Sequence, residues 1–101
     1  IEQSEKAITM AEKVLAEGKH SAMVHQLIAE VFYNQKKYTK ANQSILIAIE
    51  KGTDAYGYNL AGDILIATGE TDKALDMWQK ALDKGFPATD IKKKLSDHKT
   101  Q

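Results

Sequence analysis

The chain has 101 residues, with 14 basic against 14 acidic, and contains no cysteine. That length fits a single modest core, zero net charge sets up no long-range field for nucleic acid or an anionic membrane, and disulfides and thiolate chemistry are excluded. No apolar run approaches the ~20 residues of a membrane span, and the N-terminus lacks the basic, apolar and small-residue order of a signal peptide.

Helical spacing governs the whole chain, and strand-like alternation never lasts beyond a few residues. The pattern predicts a first helix over about Ser4–Glu17, with Ser4 as N-cap and Gly18 at its end. Ser21 can cap a second helix, which reaches about Asn34. A third spans about Tyr38–Lys51 and ends at Gly52; Thr53 or Asp54 can cap a fourth, which stops before Gly69. A fifth covers about Thr71–Lys84 and ends at Gly85. A sixth follows Pro87, a residue that fits a first helical turn because its missing N–H has no helical partner there. All the connections are short, so consecutive helices must run antiparallel.

A repeat underlies these elements. Gly18, Gly52 and Gly85 recur at steps of 34 and then 33, and so do Ala7, Ala41 and Ala74. Val14, Ala48 and Ala81 keep the same steps, as do Leu15, Ile49 and Leu82. A period of this size marks units that bury their apolar faces against one another. The expected architecture is one all-α domain, a right-handed stack of antiparallel helix pairs. Residues 1–20 form the second half of a repeat, 21–53 and 54–86 two full repeats, and 87–101 a capping helix and tail. Because the chain opens at Ile1, partway through a repeat, it reads as a fragment or processed piece, with cytoplasmic and extracytoplasmic locations both open. The small residues Ala29, Ala41, Gly62 and Ala74 sit where helices cross, and Phe32, Ile45, Leu65 and Trp78 fill the space beside them. Trp78 falls on the buried stripe between Ala74 and Leu82.

These residues resemble a known family. Tyr58-x2-Ala61-Gly62-x2-Leu65, then Ala74-x3-Trp78, Ala81-Leu82 and Pro87, is similar to the tetratricopeptide repeat pattern. The preceding unit follows it through His25, Ile28, Ala29, Phe32, Ala41 and Ile45, and the first through Ala7, Ala11 and Leu15. Two departures are Pro87, one residue later than the pattern places it, and His25, where the pattern prefers an aromatic. The resemblance implies a protein–protein interaction module, an adaptor or scaffold, whose concave face is lined by the first helix of each pair. A pentatricopeptide, RNA-reading repeat is the alternative. Against it stand the period of 33–34, a link from Gly52 to Tyr58 that is too short, Leu60 at the base-reading place, and the neutral charge.

On the first helix of one pair, Met23, Gln26, Glu30 and Tyr33 share a face, with Asn34 at its end. Tyr56, Asn59, Asp63 and Ile66 repeat the spacing one period later. In the resembling family that face receives the ligand, and here its acids favour a basic or N–H-rich partner. Family members that grip the C-terminal carboxylate of chaperones use Lys, Arg and Asn there. This chain has Gln26, Leu27, Glu30, Leu60 and Asp63, and its acids repel a carboxylate. Leu46 and Ile47 replace the polar pairs Glu12–Lys13 and Gln79–Lys80 of the other units, which points to a convex contact with a partner or a second copy. The tail places Ile91 and Leu95 one turn apart with Lys92, Lys93 and Lys94 between them, the pattern of a terminal cap with a solvated outer face. Catalysis has little to stand on. His20 and His25 are five apart and do not share a helical face, His98 lies in the tail, and Glu30 and Asp63 adjoin no nucleophile. No metal-binding, phosphate-loop or calcium-loop spacing occurs, so no cofactor or metal is expected.

Overall fold

The computed structural model describes Lys6, Thr9, Lys13 and residues 21–99. Five complete helices lie among them: α1 (Ala22–Asn34), α2 (Tyr38–Glu50), α3 (Ala55–Ala67), α4 (Thr71–Asp83) and α5 (Ala88–Lys99). No strand occurs among the described residues. Lys6, Thr9 and Lys13 are helical; the rest of the helix expected at Ser4–Glu17, with Ala7, Ala11, Leu15, Gly18 and His20, lies outside the described residues. The chain divides into two compact units, Ile1–Gly52 and Thr53–Gln101. In the first, α1 and α2 pack along each other; in the second, α4 packs against both α3 and α5.

The turns inside the units are built alike. After α1, the Lys36 N–H donates to Tyr33 O (2.9 Å) and the Lys37 N–H to Phe32 O (2.9 Å). After α3, the Gly69 N–H donates to Ile66 O (3.1 Å) and the Glu70 N–H to Leu65 O (2.8 Å). After α4, Gly85 and Phe86 do the same with Leu82 O and Ala81 O, both at 3.0 Å. This paired closure satisfies carbonyls that the helix end would otherwise leave open, and it needs a left-handed residue at its centre. Gly69 and Gly85 supply it at φ 85° and 103°, but the first unit has Lys36 at φ 63°. The residue that ends each of the first two turns also starts the next helix. Lys37 O accepts from the Ala41 N–H at 2.9 Å, and Glu70 O from the Ala74 N–H at 3.0 Å.

Helix starts rest less on side chains than the sequence implied. Ser21 occupies the N-cap of α1 in extended backbone, but its hydroxyl makes no capping bond; its carbonyl takes the Val24 N–H at 3.1 Å instead. At α3 the choice between Thr53 and Asp54 resolves to Asp54, whose carboxylate accepts the Gly57 N–H at 3.1 Å, while Thr53 is buried.

The unit cores follow the small-residue columns. Ala29, Ala41 and Ala48 are fully buried with Ile28 and Ile45 in the first unit; Ala61, Ala74 and Ala81 are buried with Ile64 and Trp78 in the second. His25, where the family prefers an aromatic, is buried too. Gly62 is the extreme case, because a Cβ added there would overlap the Trp78 indole. Trp78, Ala81 and Ile91 form a cluster against which Tyr58, Ile66, Leu75, Leu82, Phe86 and Leu95 pack. The terminal helix therefore packs through Ile91 and Leu95, the stripe read from the sequence.

Two substitutions separate these constraints. Gly62→Ala forces the indole off its seat and should cost about 1–3 kcal/mol, as overpacking does. Lys36→Gly removes a left-handed lysine and should gain about 0.5–1 kcal/mol, part of the handedness penalty being returned as chain entropy. Urea melts of both variants beside wild type check the opposite signs.

Candidate functional site

In the second unit the face expected to receive a ligand is already engaged. Asp54 starts α3 so that Asn59 and Asp63, four positions apart, stand on one side of the helix. Asp63 Oδ1 accepts the Trp78 indole N–H at 3.2 Å and the Lys94 ammonium at 2.9 Å. Lys94 also donates to Asn59 Oδ1 at 2.9 Å and lies 5.6 Å from the Trp78 ring centroid, within cation–π range. The Asp63 and Lys94 side chains are 24% and 32% exposed, so this ion pair is more shielded than a surface pair.

Asn59 and Asp63, expected from the sequence to face solvent or a ligand, here hold the ammonium group of Lys94. Seating Ile91 on the Trp78 cluster turns Lys94, one helical turn further on, toward α3. Ile66 is likewise half-buried against that cluster. His98, assigned to a tail, belongs to α5, with its ring centroid 5.5 Å from that of Trp78. Tyr56 remains 62% exposed, with its ring edge against Phe86 at 5.2 Å. Tyr58, on another side of α3, lies under the ammonium groups of Lys80 and Lys84 at 6.0 and 5.7 Å.

In the first unit the corresponding face of α1 is more open. Met23 is 60% exposed, and Glu30 and Asn34 are exposed; Gln26 and Tyr33 are half-buried, with the Tyr33 ring 5.7 Å from Tyr38. Leu27 adjoins Met23 one turn on and is 53% exposed. Leu27 is not among the contacts expected on this face, although its i, i+4 spacing from Met23 places it there. On α2, Leu46 and Ile47 are exposed. Among the described residues no three His, Cys, Asp or Glu gather in a way that could hold a metal, and no helix is long and apolar enough to cross a membrane.

Paired helices of equal length, closed by the same left-handed turn at Lys36 and again one period later at Gly69, are a repeat in three dimensions as well as in sequence. The model of the tetratricopeptide repeat-like domain matches residues 1–100. The chain belongs to this family. Tetratricopeptide-like domains generally act as protein-interaction modules and are typically non-catalytic. A similar solved structure is the C-terminal part of a tetratricopeptide repeat-containing protein from Cytophaga hutchinsonii, with a TM-score of 0.81 and 22% identity. The match covers 88% of this chain and 36% of that one, and at such identity the likeness is one of fold. No curated protein matches the chain.

Asp63 links three helices, and its removal strands an indole N–H and an ammonium group. Asp63→Ala should therefore cost about 1–3 kcal/mol, and fluorescence from Trp78, the sole tryptophan, should report a loosened α5. A melt and emission maximum unchanged from wild type would show that the bonds to Asp63 contribute nothing.

Proposed function

We propose that this tetratricopeptide-like domain is a non-catalytic adaptor that binds a protein or peptide segment on the first helix of its repeats. The observation that carries the reading is on α1: Met23 and Leu27, one turn apart, are each more than half exposed, with Glu30 and Asn34 beside them. Two large apolar side chains in a polar surround suit an amphipathic or extended peptide, with the apolar pair giving contact area and the rim giving direction. Gln26 and Tyr33 extend this contact on α1. On α3, Tyr56 offers a ring of which most is accessible, next to Asn59, Asp63 and Ile66. Aromatic side chains supply such area at low entropic cost, and Glu30 and Asp63 favour a basic or N–H-rich segment. Leu46 and Ile47 on α2 are proposed as a second contact, made with a partner or another copy of the chain.

Affinity capture from a lysate of the source organism tests the reading, with wild type beside Met23→Ala/Leu27→Ala and Tyr56→Ala variants of unchanged helicity. Proteins retained by wild type and lost by at least one variant are expected, and retention should fall only mildly with salt. Identical retention by all three proteins would refute these faces. Captured RNA whose release rises steeply with ionic strength would favour the pentatricopeptide alternative. Ile47→Lys should leave the fold intact and reduce the size of any assembly in sedimentation; an unchanged size refutes the α2 contact.

A further inference from the structure

We propose that Asn59, Asp63 and Trp78 form a receptor for a primary ammonium group, filled in cis by Lys94, and that a lysine side chain of a partner competes for the same place. The proposal rests on the protein-binding reading above and names the chemistry recognised on the α3 face.

The receptor and its guest belong to different parts of the fold. Asn59 and Asp63 come from α3 and Trp78 from α4, two helices that pack along each other and bury Ala61, Ile64, Leu65 and Ala74. The indole is rigid: it is 2% exposed, lies against Gly62, and donates its N–H to Asp63. That bond orients the carboxylate, and an amide oxygen on the same side of α3 converges with it, so two acceptors at 2.9 Å meet one Nζ beside an aromatic ring. A carboxylate, a second oxygen acceptor and a π-face together are what a primary ammonium group needs when it leaves water.

The guest is attached less firmly. α5 has two large apolar residues, Ile91 and Leu95, to hold it, and the rest of the helix is polar or small. A helix held by so narrow an apolar stripe opens at lower cost than the pair it sits on. The Lys94 side chain is also 32% exposed, which leaves an approach for a competitor. Tethering gives Lys94 a high effective concentration. An external lysine therefore meets a site whose apparent affinity is lowered by the fraction of time Lys94 fills it.

The probe is an acetylated, amidated pentapeptide with lysine at its centre and alanine elsewhere, titrated into the full chain. Trp78 reports binding through its emission and its indole N–H resonance. Lys94→Met, which keeps an unbranched side chain and removes the ammonium, should bind the peptide about ten-fold more tightly than wild type, the gain expected if Lys94 fills the site about nine-tenths of the time. The same peptide with norleucine in place of lysine should not bind, and Asp63→Asn added to Lys94→Met should abolish the response. Equal affinity for wild type and Lys94→Met, or equal binding of the norleucine peptide, overturns the proposal. Should Lys94→Met lose its helicity, wild type decides alone: the indole resonance must move as the lysine peptide reaches millimolar concentration, and a resonance that stays still overturns the receptor. Such a failure leaves the α1 face untouched, because capture through Met23 and Leu27 does not involve Trp78.

Discussion

The contact between Gly62 and the Trp78 indole decides how the second unit is built. Without a Cβ at position 62, the ring lies directly on α3, which puts its N–H within reach of Asp63 one residue further along that helix. Asp63 is thereby held at the angle at which Lys94 finds it. The same side chain clusters with Ala81 and Ile91, so it joins three helices. Any side chain larger than hydrogen at 62 disturbs every one of these contacts together, because an interior packed to crystal density transmits a displacement rather than absorbing it.

The first unit solves the same packing problem with other means. Ala29 occupies the place of Gly62, and Phe32 sits nearly a turn beyond it with the Lys40 ammonium 5.7 Å from its ring. No terminal helix within the described part of that unit lies over α1, so the Met23–Leu27 face keeps its exposure. The two units thus present equivalent helices in different states, one open and one latched by an internal cation. For a family that works by displaying helix faces, that contrast bears more on function than the shared fold does.

Most of the architecture could be read from the sequence because it depends on local rules. Left-handed turn centres call for glycine, and tight crossings call for alanine or glycine; both are residue choices that recur with the repeat. Lys36 shows the limit: nothing in its chemistry announces a left-handed backbone, and its role emerges only when it is aligned one period ahead of Gly69. The α1 face was legible through helical spacing, save for Leu27. The Lys94 latch was not legible. It joins residues 31 and 35 positions apart in sequence, each of a type that normally points into water. The burial of Ile91 decides which way Lys94 turns, and that depends on how α5 meets α4, which no local pattern encodes. Helix starts were less legible for a related reason, since a serine before a helix can supply only its carbonyl.

The uniform size of the elements has a consequence for how such a chain can change. Helices α1 to α4 are all of one length and are joined within a unit by three-residue turns whose hydrogen bonds leave no slack. One extra residue inside any helix would rotate everything after it by about 100° and carry alanines away from their crossings. An extra residue in a turn would break the paired carbonyl closure. Inside a helix pair the protein therefore has no room for a single added residue, which leaves the links between pairs, where steps of 34 and then 33 already differ by one, and the number of pairs as the quantities free to drift.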